Sequence, residues 1–440
     1  MSAPPARRSL LRHPDFMKLW SAETISVFGS QITQLALPLI AATVLQVSPF
    51  EFGLLTTIEF LPFILLSLPA GVWVDRLRRR PIMIVADVGR AVTLLTIPIA
   101  FLFDGLTIWQ LYAVGFLNGC FTVFFDVSYQ SYLPSLVERD QLVEGNSKLE
   151  ISRSSSQILG PGAAGLLIGV LRAPLAILID AISFIVSALL LVWIRRPEPP
   201  PEPHDEATGP RPSMHQDVAA GLRYVTGHRW LRAIAVTTGT SNLFTTLGFS
   251  ILILFLVRDR GFTAELIGFA FSIGGLGVMT AALTTTRITK VLGVGRTLVL
   301  GALGFSLSLL PVAAAPDALL FPAVALSGFM GGFCGVAWNI NQVSLRQAIT
   351  PTRMQGKMNG TMRFIVWGTI PVGSILGGAL GELIGLHNTI WVGAIGGAFA
   401  FVPVALSSVR SIREMPEPVG DSKAAAEAVI TAVESEAAAG

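Results

Sequence analysis

Gly71-Val72-Trp73-Val74-Asp75-Arg76-Leu77-Arg78-Arg79-Arg80-Pro81 joins two long apolar runs, 50–73 and 81–103. Four arginines and one aspartate crowd into 75–80. A bilayer-spanning helix needs about 20 mainly apolar residues, and both flanking runs reach that length. The stretch therefore reads as a tight, basic turn between two membrane helices. Lys and Arg gather in cytoplasmic loops, so the turn is expected on the cytoplasmic side.

The rest of the chain repeats this pattern. Of 440 residues, 52% are hydrophobic and 13% are charged, against about 25% charge in a soluble domain. Too few charges remain to cover a soluble surface, which excludes a soluble multidomain enzyme. Twelve apolar spans follow: 17–46, 50–73, 81–103, 107–131, 145–170, 174–194, 230–257, 264–286, 296–315, 317–345, 358–381 and 388–408. The predicted fold class is an all-α membrane protein of twelve transmembrane helices. The basic start (Arg7, Arg8, Arg12, Lys18) precedes an apolar run too long for a cleavable signal. Of the 31 Lys and Arg, Arg172, Arg258 and Arg260 fall in the opposite set of loops and Arg90 inside a span. The others mark one side, with both termini, and the chain is expected in the cell (inner or plasma) membrane with those termini cytoplasmic.

Five segments are expected: an N-terminal cytoplasmic piece (1–16), a six-helix half (17–194), a linker (195–229), a second six-helix half (230–410) and a mobile tail (411–440). Pro197-Glu198-Pro199-Pro200-Pro201-Glu202-Pro203 reads as an extended polyproline tether. After it, Met214, Val218, Leu222 and Val225 recur at helical spacing and predict a short amphipathic surface helix. Cys120 and Cys334 lie in apolar runs, and the five histidines (His13, His204, His215, His228, His387) make no ligand pair. No metal, cofactor or nucleic-acid partner is expected, and the chain is expected to act as a monomer.

The halves repeat. At an offset of 213, Gly115-Phe116 matches Gly328-Phe329, Gly119 matches Gly332, Asp126 matches Asn339, Asn146 matches Asn359, and Gly160 matches Gly373. Gly53 matches Gly268 at 215. Two halves that both start on one side are related by an axis along the membrane normal, the plan of an alternating-access transporter. The one Gly-Lys pair, Gly356-Lys357, is followed by Met358, so no phosphate loop for ATP is present and a gradient must supply the drive.

The 71–81 turn resembles the Gly-x-x-x-Asp-Arg-x-x-Arg-Arg signature of the major facilitator superfamily. Gly160-Pro161-Gly162-Ala163-Ala164-Gly165 is similar to the Gly-Pro-x-x-Gly-Gly element of its exporters, with Ala164 replacing a glycine. Val27–Gln31 and Phe124–Gln130 resemble the enterobactin-exporter and macrolide-efflux branch. The resemblance covers nearly all of 15–410 and implies a two-half transporter fold. It further implies that Asp75, Arg79 and Asp126, with Gly71 and Arg76, latch one state of the transport cycle. Arg79, one helical turn after Asp75, is expected to bond it. Gly160, Pro161 and Gly165 are expected at a packing hinge against the eighth span, where Gly274, Gly275 and Gly277 suit the contact.

An ionisable side chain at the bilayer centre costs roughly 2.5–3.5 kcal/mol and marks a functional candidate. Glu59 lies nine residues into its span, roughly 14 Å deep at 1.5 Å per residue, and suits proton coupling or cation recognition. Glu23 and Asp180 are further candidates. Asp87 and Arg90 are spaced to pair on one helix face. Gln34, Asn118, Asn242 and Trp338 are candidates for a substrate cavity. The fourth span has no arginine between Trp109 and Tyr132, a departure from proton-coupled drug exporters of the superfamily. The expected function is secondary active export of a small amphipathic molecule in exchange for protons. Proton-coupled nutrient uptake is the alternative; a membrane enzyme or sensor is disfavoured because no nucleophile, metal or cofactor cluster appears.

Overall fold

Ser48 opens the second long helix with a capping box: its hydroxyl accepts from Glu51 N–H at 3.2 Å, and the Glu51 carboxylate accepts from Ser48 N–H at 2.8 Å. Pro49 follows in the first turn, where its missing N–H has no partner to lose. Thr107 caps the fourth helix with a single bond, its hydroxyl accepting from Gln110 N–H. In a computed structural model, such starts delimit sixteen α-helices across the described residues, 10–138, 141–198 and 214–416. They are α1 (Pro14–Leu39), α2 (Pro49–Arg76), α3 (Arg79–Leu102), α4 (Ile108–Leu136), α5 (Leu142–Leu171), α6 (Ala173–Val192), α7 (Met214–Gly227), α8 (Arg229–Phe249), α9 (Leu252–Arg258), α10 (Ala264–Leu292), α11 (Val294–Leu307), α12 (Leu310–Ala314), α13 (Leu320–Ala348), α14 (Thr352–Ile384), α15 (Leu386–Ala398) and α16 (Val402–Leu406).

Twelve of the resulting spans are long and apolar enough to cross a membrane. Several run past the predicted ends, as α4 and α14 do, because a helix need not stop where the hydrocarbon stops. The seventh, ninth and twelfth are each built from two helices with a short break. Trp73, Trp109 and Trp193 stand exposed near helix ends, where aromatic rings favour the membrane–water boundary.

The chain forms two compact units, Met1–His204 with Ile253–Ser272, and Asp205–Leu252 with Ile273–Gly440. In the first, α1 packs on α5 and α6, and α3 on α4 and α6. In the second, α8 packs on α14 and α15, and α11 on α13 and α15. The same pairing recurs under the repeat. Helix starts refine the register: Pro14 and Arg229, like Arg79 and Val294, lie 215 residues apart, whereas Ala173 and Leu386 lie 213 apart.

The packing chemistry repeats too. A side chain on Gly119 of α4 would meet the Glu59 carbonyl of α2 at 2.9 Å, and one on Gly332 of α13 would meet the Gly274 carbonyl of α10 at 2.5 Å. Without Cβ atoms the helix backbones cross closely, which is how membrane helices gain contact where water provides no drive.

The sequence placed an amphipathic helix after the linker, and α7 occupies that position. Val225 is buried in a core with Leu231, Met358 and Met362, while Leu222 is exposed. The side chains of Met214 and Val218 lie outside the described ones, as do residues 199–213 of the polyproline tether and 417–440 of the tail. Arg195–Glu198 are not part of a free tether: they are bonded into the first unit, as set out below.

Arg172, the turn between α5 and α6, has φ 64° and ψ 150°, a region almost reserved for glycine. Its repeat partner, 213 residues on, is Gly385, with φ 86° and ψ 158° between α14 and α15. Arg172→Gly is therefore expected to stabilise the protein by about 1–3 kcal/mol, read as a raised unfolding temperature of the detergent-purified protein; an unchanged or lower temperature would refute strain at this turn.

Candidate functional site

The first unit carries a polar network at the end where α1 begins. Asp15, in the first turn of α1, accepts from Arg195 N–H at 3.1 Å, Arg196 N–H at 2.9 Å and Lys18 Nζ at 2.7 Å. Arg196 donates to the Leu136 carbonyl at the end of α4, 2.8 Å away. Glu198 accepts from the Arg79 and Arg80 N–H groups at 2.6 and 3.1 Å. It thereby caps α3, whose own N-cap, Arg78, has no capping side chain. Arg80 turns the other way and donates to the Leu191 and Val192 carbonyls at the end of α6.

This network revises the expected latch. Helix α2 ends at Arg76; Leu77 and Arg78 are extended, and α3 starts at Arg79 with Pro81 in its first turn. Asp75 and Arg79 are thus on different helices and are not one turn apart. The Arg79 guanidinium lies 3.9 Å from Glu198. The Asp75 side chain lies outside the described ones. Arg76 is exposed, and a side chain on Gly71 would meet nothing within 4 Å.

Deeper in the same unit lie further charges, of which Glu23, Asp87, Arg90 and Asp180 are buried and Asp126, Arg153 and Glu59 part-exposed. Asp87 and Arg90 form an ion pair on α3, and Ser187 of α6 donates to the other Asp87 oxygen at 2.6 Å. The Arg90 guanidinium stacks on the Phe125 and Phe184 rings, 4.4 and 4.1 Å from their centroids. Glu23 of α1 pairs with Arg153 of α5 at 3.4 Å. Asp126 of α4 is part-buried and follows Phe125, the ring that carries Arg90. Asp180 of α6 is held by the Thr33 and Ser183 hydroxyls. Glu59 is half-buried against Gly115, whose Cβ would stand 3.0 Å from the Glu59 Cγ, and it has no hydrogen bond or ion pair among the described residues.

Helix α5 meets the start of α10 through its Gly-Pro element. A side chain on Gly165 would strike the Ala264 carbonyl at 2.5 Å, one on Gly268 would strike the Pro161 carbonyl, and Gly162 N–H donates to Ser272 at 2.9 Å. Gly160 lies instead against Gln31 of α1. Gly274 and Gly277, expected from sequence to pack on α5, pack on α13 at Gly328 and Phe329. Gly268 and Ser272 sit on the face of α10 that meets α5.

Of the cavity candidates, Gln34 is exposed and the buried Asn118 side-chain oxygen has no partner. Asn242 donates to the Val366 carbonyl at 3.4 Å, and Trp338 is part of the second core. Sequence reading missed Asp15, Arg153 and Glu198. The signal for Glu198 was an acid just after two arginines at a helix end; Arg153 had been counted among the basic-side residues.

Twelve spanning helices, the repeated six-helix packing and the basic turn after α2 are those of a major facilitator superfamily transporter. More narrowly, the chain belongs to the Transmembrane secretion effector family, whose model matches residues 7–434. It is 26% identical over 394 residues to the multidrug efflux pump Tap of Mycolicibacterium fortuitum, covering 86% of this chain and 91% of that protein. It is 22% identical over 421 residues to the enterobactin exporter EntS of Escherichia coli O1:K1 / APEC, covering 93% and 96%. In three dimensions it is similar to the nucleoside transporter NupG (D323A mutant), with a TM-score of 0.71 and 14% identity over 89% of this chain and 100% of that one. The chain is thus a multi-pass membrane transporter rather than an enzyme.

Removing one partner of a buried ion pair costs about 3–5 kcal/mol, whereas removing both can be neutral. Asp87→Ala is expected to lower stability by about that amount, and Asp87→Ala combined with Arg90→Met to recover most of it, in thermal unfolding of the purified protein. Equal losses in single and double variants would show the two residues acting separately.

Proposed function

We propose that the chain exports a small amphipathic molecule, an antibiotic, drug or siderophore, in exchange for protons by alternating access. The family match carries this reading, because the relatives Tap and EntS are named as an efflux pump and an exporter. The absence of a phosphate loop in the sequence favours a gradient as the drive. The surplus of Lys and Arg where α1 begins supports cytoplasmic termini in the inner or plasma membrane. The chain is proposed to act as a monomer on a small-molecule substrate, with no nucleic-acid partner.

Asp75, Arg76, Arg79, Gly71 and Asp126 are proposed to serve the latch of the transport cycle. In the conformation described, Arg79 is engaged by Glu198, and the latch contact is proposed for another state of the cycle. Gly160, Pro161 and Gly165 are proposed as the hinge; the close α5–α10 crossing supports Pro161 and Gly165, while Gly160 packs on α1. Glu59, unpaired among the described residues, is proposed to meet a cationic group of the substrate.

Inside-out membrane vesicles from cells making the protein test this. With a proton gradient imposed, they are expected to accumulate ethidium, erythromycin or enterobactin, and to lose the accumulation on addition of an uncoupler. Accumulation in right-side-out vesicles alone would point to uptake, and accumulation insensitive to uncoupler would reject proton exchange. In the same assay Glu59→Gln is expected to cut ethidium transport at least tenfold, a loss of about 1.4 kcal/mol or more in driving interaction; normal ethidium transport would remove Glu59 from the site.

A further inference from the structure

The last turns of α13 read Asn339-Ile340-Asn341-Gln342-Val343-Ser344-Leu345-Arg346-Gln347-Ala348. Steps of three and four residues put Asn339, Gln342 and Arg346 on one helix face, while Leu345 turns into the second core with Trp338 and Ile349. Arg346 is 8% exposed, and its Nε is buried without a partner. No hydrogen bond or ion pair among the described residues ends on its guanidinium. One turn earlier, Gln342 is 5% exposed. Its amide N–H donates to the Asn339 side-chain oxygen at 3.0 Å, which leaves the Gln342 carbonyl oxygen buried and unpartnered.

The other buried charges each have a partner: Asp15 has Lys18, Glu23 has Arg153, Asp87 and Arg90 have each other, and Asp180 has Thr33. The second unit offers no such partner to Arg346. Among its described side chains the carboxylates are Asp317, Glu382 and Glu414. Asp317 lies before the start of α13 and Glu382 near the far end of α14, both away from Arg346; Glu414 is exposed. The end of α13 instead shares its core with the starts of α8 and α11, which bring Arg229, Arg232 and Arg296. A basic surround of this kind draws anions.

Helix packing does not call for the charge. At the offset of 213, Arg346 matches Leu133 of α4, which is 3% exposed in the first core. An apolar side chain fills the equivalent place there. A buried guanidinium without a counter-ion is unfavourable until an anion reaches it. Its planar fork of N–H donors fits the paired oxygens of an oxyanion. The Gln342 oxygen can only accept, so it takes an O–H or N–H that stands beside that oxyanion.

We propose that Arg346 and Gln342 form an anion site on α13 for an oxyanion with an O–H or N–H next to it. An α-hydroxy acid, a singly ionised catechol and a hydroxamate have this chemistry. The proposal rests on the export reading and selects, among its substrates, the acidic amphiphiles. Arg346 donates to the charged oxygens, and Gln342 accepts from the neighbouring donor. Glu59 belongs to α2 in the first unit and takes no part, so cationic and acidic substrates depend on different residues.

The full-length protein, purified in detergent and dialysed to equilibrium against radiolabelled mandelate, tests the site. Mandelate is an aromatic α-hydroxy acid; phenylacetate lacks its hydroxyl and mandelamide its charge. Mandelate is expected to bind about threefold tighter than phenylacetate and about tenfold or more tighter than mandelamide, as a neutral and a charge-assisted hydrogen bond would give. Arg346→Gln is expected to weaken mandelate about tenfold or more. Gln342→Leu is expected to reduce mandelate to the affinity of phenylacetate. If Arg346→Gln is not monodisperse, Arg346→Lys carries the test: it keeps the charge, loses the fork and is expected to weaken mandelate about threefold. Unchanged mandelate binding in the Arg346 variants, or equal native affinity for mandelate and mandelamide, overturns the site. In inside-out vesicles, Arg346→Gln is expected to cut enterobactin accumulation about tenfold or more and to spare ethidium. Equal loss of both probes marks a structural role and overturns the proposal. Mandelate binding that depends on Arg346, with no probe accumulated by native vesicles, supports the site and overturns the export reading. Enterobactin accumulation that is the same in native and Arg346→Gln vesicles overturns the site and leaves the export reading standing.

Discussion

A charge inside a bilayer must be matched, and the first unit is organised around that requirement. Arg90 can stay buried because one carboxylate and two ring faces surround it. Ser187 reaches from α6 to complete Asp87, so the pair also ties α3 to α6. Asp180 draws on α1 through Thr33. The helix pairs that pack most extensively in this unit are thus also those joined by buried polar bonds. Hydrophobic burial gives no such direction in lipid, where the surroundings are as apolar as the side chains.

The two units show how differently one packing scheme can be filled. Helices cross through glycines in both, at Gly119 on Glu59 and at Gly332 on Gly274. Where the first unit has Glu23, Asp87, Asp126 and Asp180, the second has Thr238, Ala302, Asn339 and Gly393. At these positions the backbone plan is therefore indifferent to the charges, while the second unit buries a charge of its own at Arg346. The same divergence strained Arg172, where the other copy kept Gly385.

The twelve spans, the basic turn and the repeat were legible because each rests on composition over 20 or more residues. The Asp87–Arg90 pair was legible because i, i+3 spacing is a local rule. Partners brought together by tertiary packing were not. Nothing in the order of residues says that Glu198 caps α3 across 119 positions or that Arg153 meets Glu23 across 130. The face of α10 was misread for a related reason. Several glycines share that helix, and sequence alone does not say which of them turns toward α5 and which toward α13. The Asp75–Arg79 bond failed on a local matter: two extended residues interrupt what had been taken as one helical turn.

The α5–α10 crossing has a mechanical consequence. Gly165 and Gly268 bring main chain against main chain, while the Phe269 and Glu265 side chains lie against Gly162 and Gly169 and Ser272 bonds Gly162. Interlocked side chains resist shear, since each step of sliding must lift a knob out of its hole and repack a rotamer. Around Gly165 and Gly268 the two backbones have no such teeth. At Gly165 and Gly268 the contact holds its spacing with little to repack, so these two positions act as the low-friction point of a crossing that Phe269 and Glu265 still hold in register.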